Sequence, residues 1–174
     1  SRGVKLRFTS GGGSEALINA AFLAGAGHTD NDVPYNSIVA LNENGATLHY
    51  QYKSFERPED SRSLLIDAGA EVDGYAADIT RTWARDDALC GELVEAVDRE
   101  QQALAHKVRA GLDYRQLHLE AHLRLGSVLK GLGIVDMEPD AMLQHGVTST
   151  FFPHGLGHPI GLQVHDVAGF SDVD

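Results

Sequence analysis

The stretch from Ile66 to Trp83 constrains this chain most. Two segments of strand-like composition, Leu64 to Ala68 and Tyr75 to Trp83, are joined by a glycine-containing turn. The first carries Asp67 next to its end and the second carries Asp78, 11 positions further on. If the segments form a hairpin, both carboxylates can converge on one point. A carboxylate in an apolar setting is costly unless it is paired or bound to a cation. Asp67 follows Leu64-Leu65-Ile66, and Asp78 lies between Ala77 and Ile79. Arg81 is a possible structural partner for either acid, so the acids alone leave a metal site open. Asp60 and Asp73 read as turn or edge residues.

Imidazoles add to this pattern. Phe152 to Asp166 is glycine-rich and contains His154, His158 and His165. His154 and His158 have helical spacing, but Gly155, Gly157 and Pro159 argue against a regular helix. His49, within Thr47-Leu48-His49-Tyr50, is a further candidate. Carboxylates with imidazoles are ligands for hard or borderline divalent metals. His118 and His122 are also four apart, in an expected helix, but Arg115 and Arg124 favour an exposed face. They are read as non-catalytic, with His28, His106 and His145. Gly155 to Gly161 lacks the spacing and the strand–helix context of a dinucleotide loop. Cys90 has no activating basic neighbour, and no serine elbow occurs.

Around these residues the chain reads as α+β. Ser14 caps a helix over Glu15 to Ala26, after the run Gly11-Gly12-Gly13. His28 to Tyr35 is a loop. Ser37 to Leu41 and Ala46 to Tyr50 read as strands around a turn at Asn42 to Gly45. Ser54 to Asp60 is a charged connection. Leu93, Val97, Leu104 and Val108 recur at helical spacing in a helix from about Ala88 to Ala110. Asp113 caps the next helix, which runs to about Lys130. A short helix is expected over Asp140 to Gln144 and a strand around Leu162 to Val164.

Composition excludes several functions. The 174 residues carry a formal net charge of −11, against the basic footprint of a nucleic-acid or anionic-membrane partner. No apolar run approaches the roughly 20 residues of a membrane helix. One cysteine rules out an internal disulfide framework and suits a reducing cytoplasm.

Three segments carry a resemblance: Asp32 to Glu43, Asp67 to Glu71, and His154 to Asp166. They resemble the metallopeptidases of pita-bread fold, a family that includes methionine aminopeptidase, aminopeptidase P, prolidase and creatinase. The continuation Gly161-Leu162-Gln163-Val164-His165-Asp166 is similar to its bacterial Xaa-Pro dipeptidase (prolidase) branch. In that family two divalent metals, often Mn(2+), are held by two Asp, one His and two Glu. The resemblance gives Asp67, Asp78 and His158 as the matching ligands. Both glutamates belong to later motifs, and the chain stops at Asp174 before either. Residues 1–174 therefore read as a partial catalytic domain, its first half plus the histidine loop. On that resemblance the amino-terminal domain, and the carboxy-terminal part with the remaining metal ligands, would be absent.

The implied activity is hydrolysis of dipeptides with carboxy-terminal proline, by a hydroxide bridging two divalent metals. His154 and His165 would be catalytic, and His49, Tyr35, Leu48 and Val164 would bind substrate. The family also implies a homodimeric full-length enzyme, in the cytoplasmic setting that the single cysteine suits, and, with three of five ligands, an inactive isolated piece. Organophosphorus acid anhydrolases share this site and are an alternative. A non-catalytic pita-bread binding module is another.

Overall fold

A computed structural model describes Phe8 and residues 13–167; Gly11 and Gly12 of the glycine run lie outside the described residues. The chain divides into two compact units, Ser1–Asp86 with His158–Asp174, and Asp87–Gly157.

The first unit is a sheet packed on a helix. Helix α1, Glu15–Ala26, begins with the Ser14 side chain accepting from the Leu17 amide. It ends at Gly27, whose φ of +70° only glycine adopts freely. Glu15 does more than favour the helix start. Its side chain is buried and accepts from four donors: Leu41 N and Asn44 Nδ2 on one oxygen, Tyr50 Oη and Ser54 N on the other, all at 2.9–3.0 Å. That network replaces the strand expected over Ala46 to Tyr50. A 3-10 helix, Asn42–Ala46, follows strand β1, Ile38–Leu41, and the chain then turns with φ of +51° at His49.

Strand β2, Ser63–Ala68, lies between β1 and β5, Ile79–Ala84, antiparallel to both. Leu64, Ile66 and Ala68 point into a core with Ile18, Val39, Leu41 and Phe8, flanked by Phe22 and Trp83. Period-two alternation puts Asp67 on the opposite face. Its cross-strand neighbours are Ile38 and Thr80. The second strand expected from Tyr75 is split. Strands β3, Glu71–Val72, and β4, Tyr75–Ala76, make a small hairpin, turned by Asp73 and Gly74 at φ of +54° and +83°. Consecutive positive φ values match the turn that suits strand twist. Ala77 and Asp78 then form an irregular link to β5. Gly69 makes this possible: a Cβ there would sit 1.9 Å from the Ala77 carbonyl oxygen and 2.8 Å from the Tyr35 ring.

The segment expected as a strand around Leu162 to Val164 is a series of bends. Asp166 organises it, accepting from the Leu162 amide at 2.9 Å and the Val167 amide at 2.7 Å. The Ala76 amide donates to the Gly161 carbonyl at 2.8 Å and ties the segment to β4.

The second unit is helical. Helix α2, Ala88–Ala105, is capped by Asp87, and α3, Tyr114–Gly131, by Asp113. Helix α2 stops short of the expected Ala110. The Lys107 and Val108 amides bond carbonyls three residues back, tightening the last turn. Helices α4, Pro139–Gln144, and α5, Val147–Phe151, fold back on α3. Leu104, Leu117 and Ala121 form the core, with Leu112, Phe152 and Leu156 against it. His122 contradicts the exposed-face expectation: it is 4% exposed, its Nδ1 2.9 Å from Thr148 Oγ1 and its Nε2 3.2 Å from His118 Nε2. The returning chain brings Thr148 and Phe152 onto this face, while Arg124 pairs with Glu100 and Glu120. Among the described residues, no helix is long and apolar enough to cross a membrane.

Candidate metal centre

Tyr35 joins the two carboxylates. Its hydroxyl lies 2.6 Å from Asp67 Oδ1 and 2.9 Å from Asp78 Oδ1. Asp67 arrives from the end of β2 and Asp78 from the link before β5. On the far side of Asp78, Oδ2 is 3.1 Å from His158 Nε2. The two acids, expected to meet across a hairpin, therefore reach a common hydroxyl, and His158 approaches one of them. Arg81 bonds the Thr80 carbonyl.

This cluster is rich in acceptors and poor in protons. Tyr35 has one O–H to offer two carboxylate oxygens. His158 Nδ1 lies 2.9 Å from the Pro159 carbonyl oxygen, which only accepts, so Nδ1 carries the ring proton. With Nδ1 so engaged, the contact between Nε2 and the Asp78 carboxylate is satisfied by a second ring proton or by a cation between them. Burial above all, with the charge of Asp78, raises the Asp67 carboxyl above its ordinary range, although the Tyr35 hydrogen bond opposes this. The Tyr35 phenol is also raised, by burial and then by the two acids.

The donor chemistry fits a divalent metal: two carboxylates and an imidazole whose outer nitrogen is held by a backbone carbonyl. The arrangement is pairwise rather than convergent. Among the described residues, no group of three or more His, Cys, Asp or Glu stands ready to hold a metal ion.

The other expected residues are placed as follows. His165 lies edge-on to His158, ring centroids 4.2 Å apart, within the bends held by Asp166. Val164 is half-buried there. His49 and Leu48 are exposed in the turn after the 3-10 helix. His154 belongs to the second unit, its ring edge-on to Phe152 and its Nδ1 3.0 Å from the Gly155 carbonyl oxygen. A cleft of about 570 Å³ lies elsewhere in the first unit, lined by Asn19, Asp30, Asn36, Lys53 and Phe55 among others; none of the expected site residues lines it. Sequence reasoning placed Tyr35 on a pocket wall and missed its bridging of the acids. Its position 32 residues before Asp67 gave no signal of contact.

The chain belongs to metallopeptidase family M24, whose profile matches residues 7–173. The chain is 54% identical over 164 residues to the Xaa-Pro dipeptidase of Xanthomonas axonopodis pv. citri. It is 50% identical over 165 residues to that of Photorhabdus laumondii. In both comparisons the match covers 94% of this chain and 37% of the relative. The chain thus spans little more than a third of the length of these curated relatives. The fold is the pita-bread fold of aminopeptidase P. Zinc-substituted Escherichia coli aminopeptidase P in complex with product matches 96% of this chain and 41% of its own, with a TM-score of 0.80 and 29% identity. Pseudomonas aeruginosa aminopeptidase PepP matches 95% and 39%, with a TM-score of 0.80 and 26% identity.

Proposed function

We propose that the protein carrying this chain hydrolyses dipeptides with carboxy-terminal proline, using two divalent metal ions of which manganese is the leading candidate. The observation that carries this reading is the gathering of Asp67 and Asp78 on one phenol hydroxyl, with His158 against the far oxygen of Asp78. Asp67, Asp78 and His158 would hold the metal. Once bound, divalent metal supplies a water made nucleophilic at neutral pH and polarises the substrate carbonyl.

The remaining steps belong to side chains of the chain. Asp78 would be a ligand, its two oxygens facing different partners, Tyr35 and His158. The Pro159 carbonyl holds the His158 tautomer that leaves Nε2 free to ligate. His165, edge-on to His158, is suited to steadying charge on the substrate beside the ligands. His154 is assigned to the substrate carbonyl. Tyr35, Leu48, His49 and Val164 are assigned to substrate contact. The names of the dipeptidase relatives support the substrate class. A cytoplasmic setting, supported by the single cysteine, and a homodimeric assembly, supported by the family resemblance, complete the proposal.

The test is Mn(2+) titration of the purified full-length protein that carries this chain, followed by paramagnetic resonance, alongside turnover of a Leu-Pro dipeptide. Saturable Mn(2+) binding lost in Asp78→Asn, with turnover abolished by chelation, is the expected result. Binding unchanged by Asp78→Asn, or turnover that survives chelation, overturns the reading.

A further inference from the structure

The second unit holds a column of rings of which the hydrolytic reading uses only His154. Tyr114 opens α3. Its hydroxyl donates to the Gly157 carbonyl and accepts from the Gly157 amide, each at 2.9 Å. One phenol oxygen thus satisfies both backbone groups of a single loop residue. A Cβ on Gly155 would lie 3.4 Å from the same oxygen, so the loop passes close over the phenol. His118, one turn along α3, lies nearly parallel to the Tyr114 ring, centroids 6.4 Å apart. It also packs on Phe152 at 5.6 Å, and Phe152 meets His154 edge-on at 5.1 Å.

The segment His154 to Gly157 contains two glycines and no regular structure. Such a segment has much conformational freedom to lose. It is held at one end by Phe152 and at the other by Tyr114. Between these anchors His154 Nδ1 contacts the Gly155 carbonyl oxygen. That oxygen only accepts, so the contact requires the proton on Nδ1 and turns the lone pair of Nε2 outward. In this tautomer neutral His154 accepts through Nε2, and it donates there only after taking up a proton.

We propose that Tyr114 is a positioning residue: by clamping both backbone groups of Gly157 it fixes the turn that holds His154 in its Nδ1–H tautomer. This rests on the reading of His154 as a substrate-facing imidazole, and it names the device that sets which nitrogen faces the substrate.

The experiment uses the chain with ¹⁵N-labelled histidine and backbone, without metal or substrate. Long-range ¹H–¹⁵N spectra report the His154 tautomer, and hydrogen exchange reports the Gly157 amide. The unmodified chain is expected to show a single Nδ1–H tautomer and a protected Gly157 amide. Tyr114→Phe keeps the ring against His118 and removes only the hydroxyl. It is expected to speed Gly157 exchange about five- to tenfold, the worth of one ordinary hydrogen bond, and to move His154 toward a mixed-tautomer signal. A merely structural role for Tyr114 would lower the unfolding midpoint and leave the tautomer unchanged under native conditions. A folded Tyr114→Phe with both signals unchanged overturns the proposal. So does a mixed His154 tautomer or an unprotected Gly157 amide in the unmodified chain, which keeps the test decisive if the variant does not fold. Neither readout involves turnover, so loss of the hydrolytic reading and loss of this inference are separately visible.

Discussion

Asp78 touches both Tyr35 and His158, whereas Asp67 touches only Tyr35 among these partners. On the proposed reading, replacing Asp78 by Asn removes a charge and a ligand atom together. Metal affinity should therefore fall by more than the roughly 10–100-fold cost of losing an outer partner. His165→Ala removes a ring that meets His158 only at its edge and should leave affinity within about tenfold of the parent. Isothermal titration with Mn(2+) checks both, and equal losses would show that His165 ligates. Gly69 yields a prediction of another kind. Gly69→Ala drives a methyl group into the Ala77 carbonyl and should destabilise the first unit by at least about 1–3 kcal/mol, read as a lower urea midpoint. The acids and His158 were legible because apolar flanks around a carboxylate, and histidines in a glycine loop, are local signals. Tyr35 was not, since its contact is made only once β2 and the link before β5 lie side by side.

Helix α3 was placed within a residue at each end, because Asp113 caps it and Gly131 and Gly133 stand at its close. Its histidine face was misjudged. Charged neighbours suggested solvent, but a helix has several faces, and Thr148 returns from α5 to cover this one. The strand expected at Ala46 to Tyr50 failed for a similar reason. A buried Glu15, distant in sequence, recruits Asn44, Tyr50 and the Ser54 amide and overrides local strand preference. Two predictions follow from these elements. Glu15→Ala strands four buried or half-buried donors and should cost about 3–5 kcal/mol, as for breaking a buried charged network. Chemical denaturation measures it; a loss under 1 kcal/mol, at about the level of one ordinary hydrogen bond, would dismiss the network. His122 is held below its ordinary 6.5 by burial, then by His118. The unfolded chain therefore binds this proton at a higher pH than the folded one does. Stability from this residue is complete above pH 6.5 and declines as pH falls below it, toward the depressed folded value. The urea midpoint should drop between pH 7.5 and 5.5, and less so in His122→Gln.

At the scale of the whole molecule, the two units carry separate cores. Trp83, the single tryptophan, packs against the first of them. Leu64→Ala empties a fully buried site there and should cost about 2–5 kcal/mol in the transition seen by tryptophan fluorescence. Leu129→Ala, in the second unit, should instead shift the helical signal in circular dichroism. Coincident shifts in both probes for both variants would show one cooperative block. The first unit is assembled from two stretches of chain, with residues 87–157 between them. During synthesis at roughly 5–20 residues per second, those 71 residues take about 4–14 s to leave the ribosome. Throughout that interval the nascent chain already holds Asp67 and Asp78 but has no His158. The Tyr35 hydroxyl is then what tempers the repulsion between the acids, and the newborn protein holds one oxygen of Asp78 with a phenol while the other waits for a histidine not yet made.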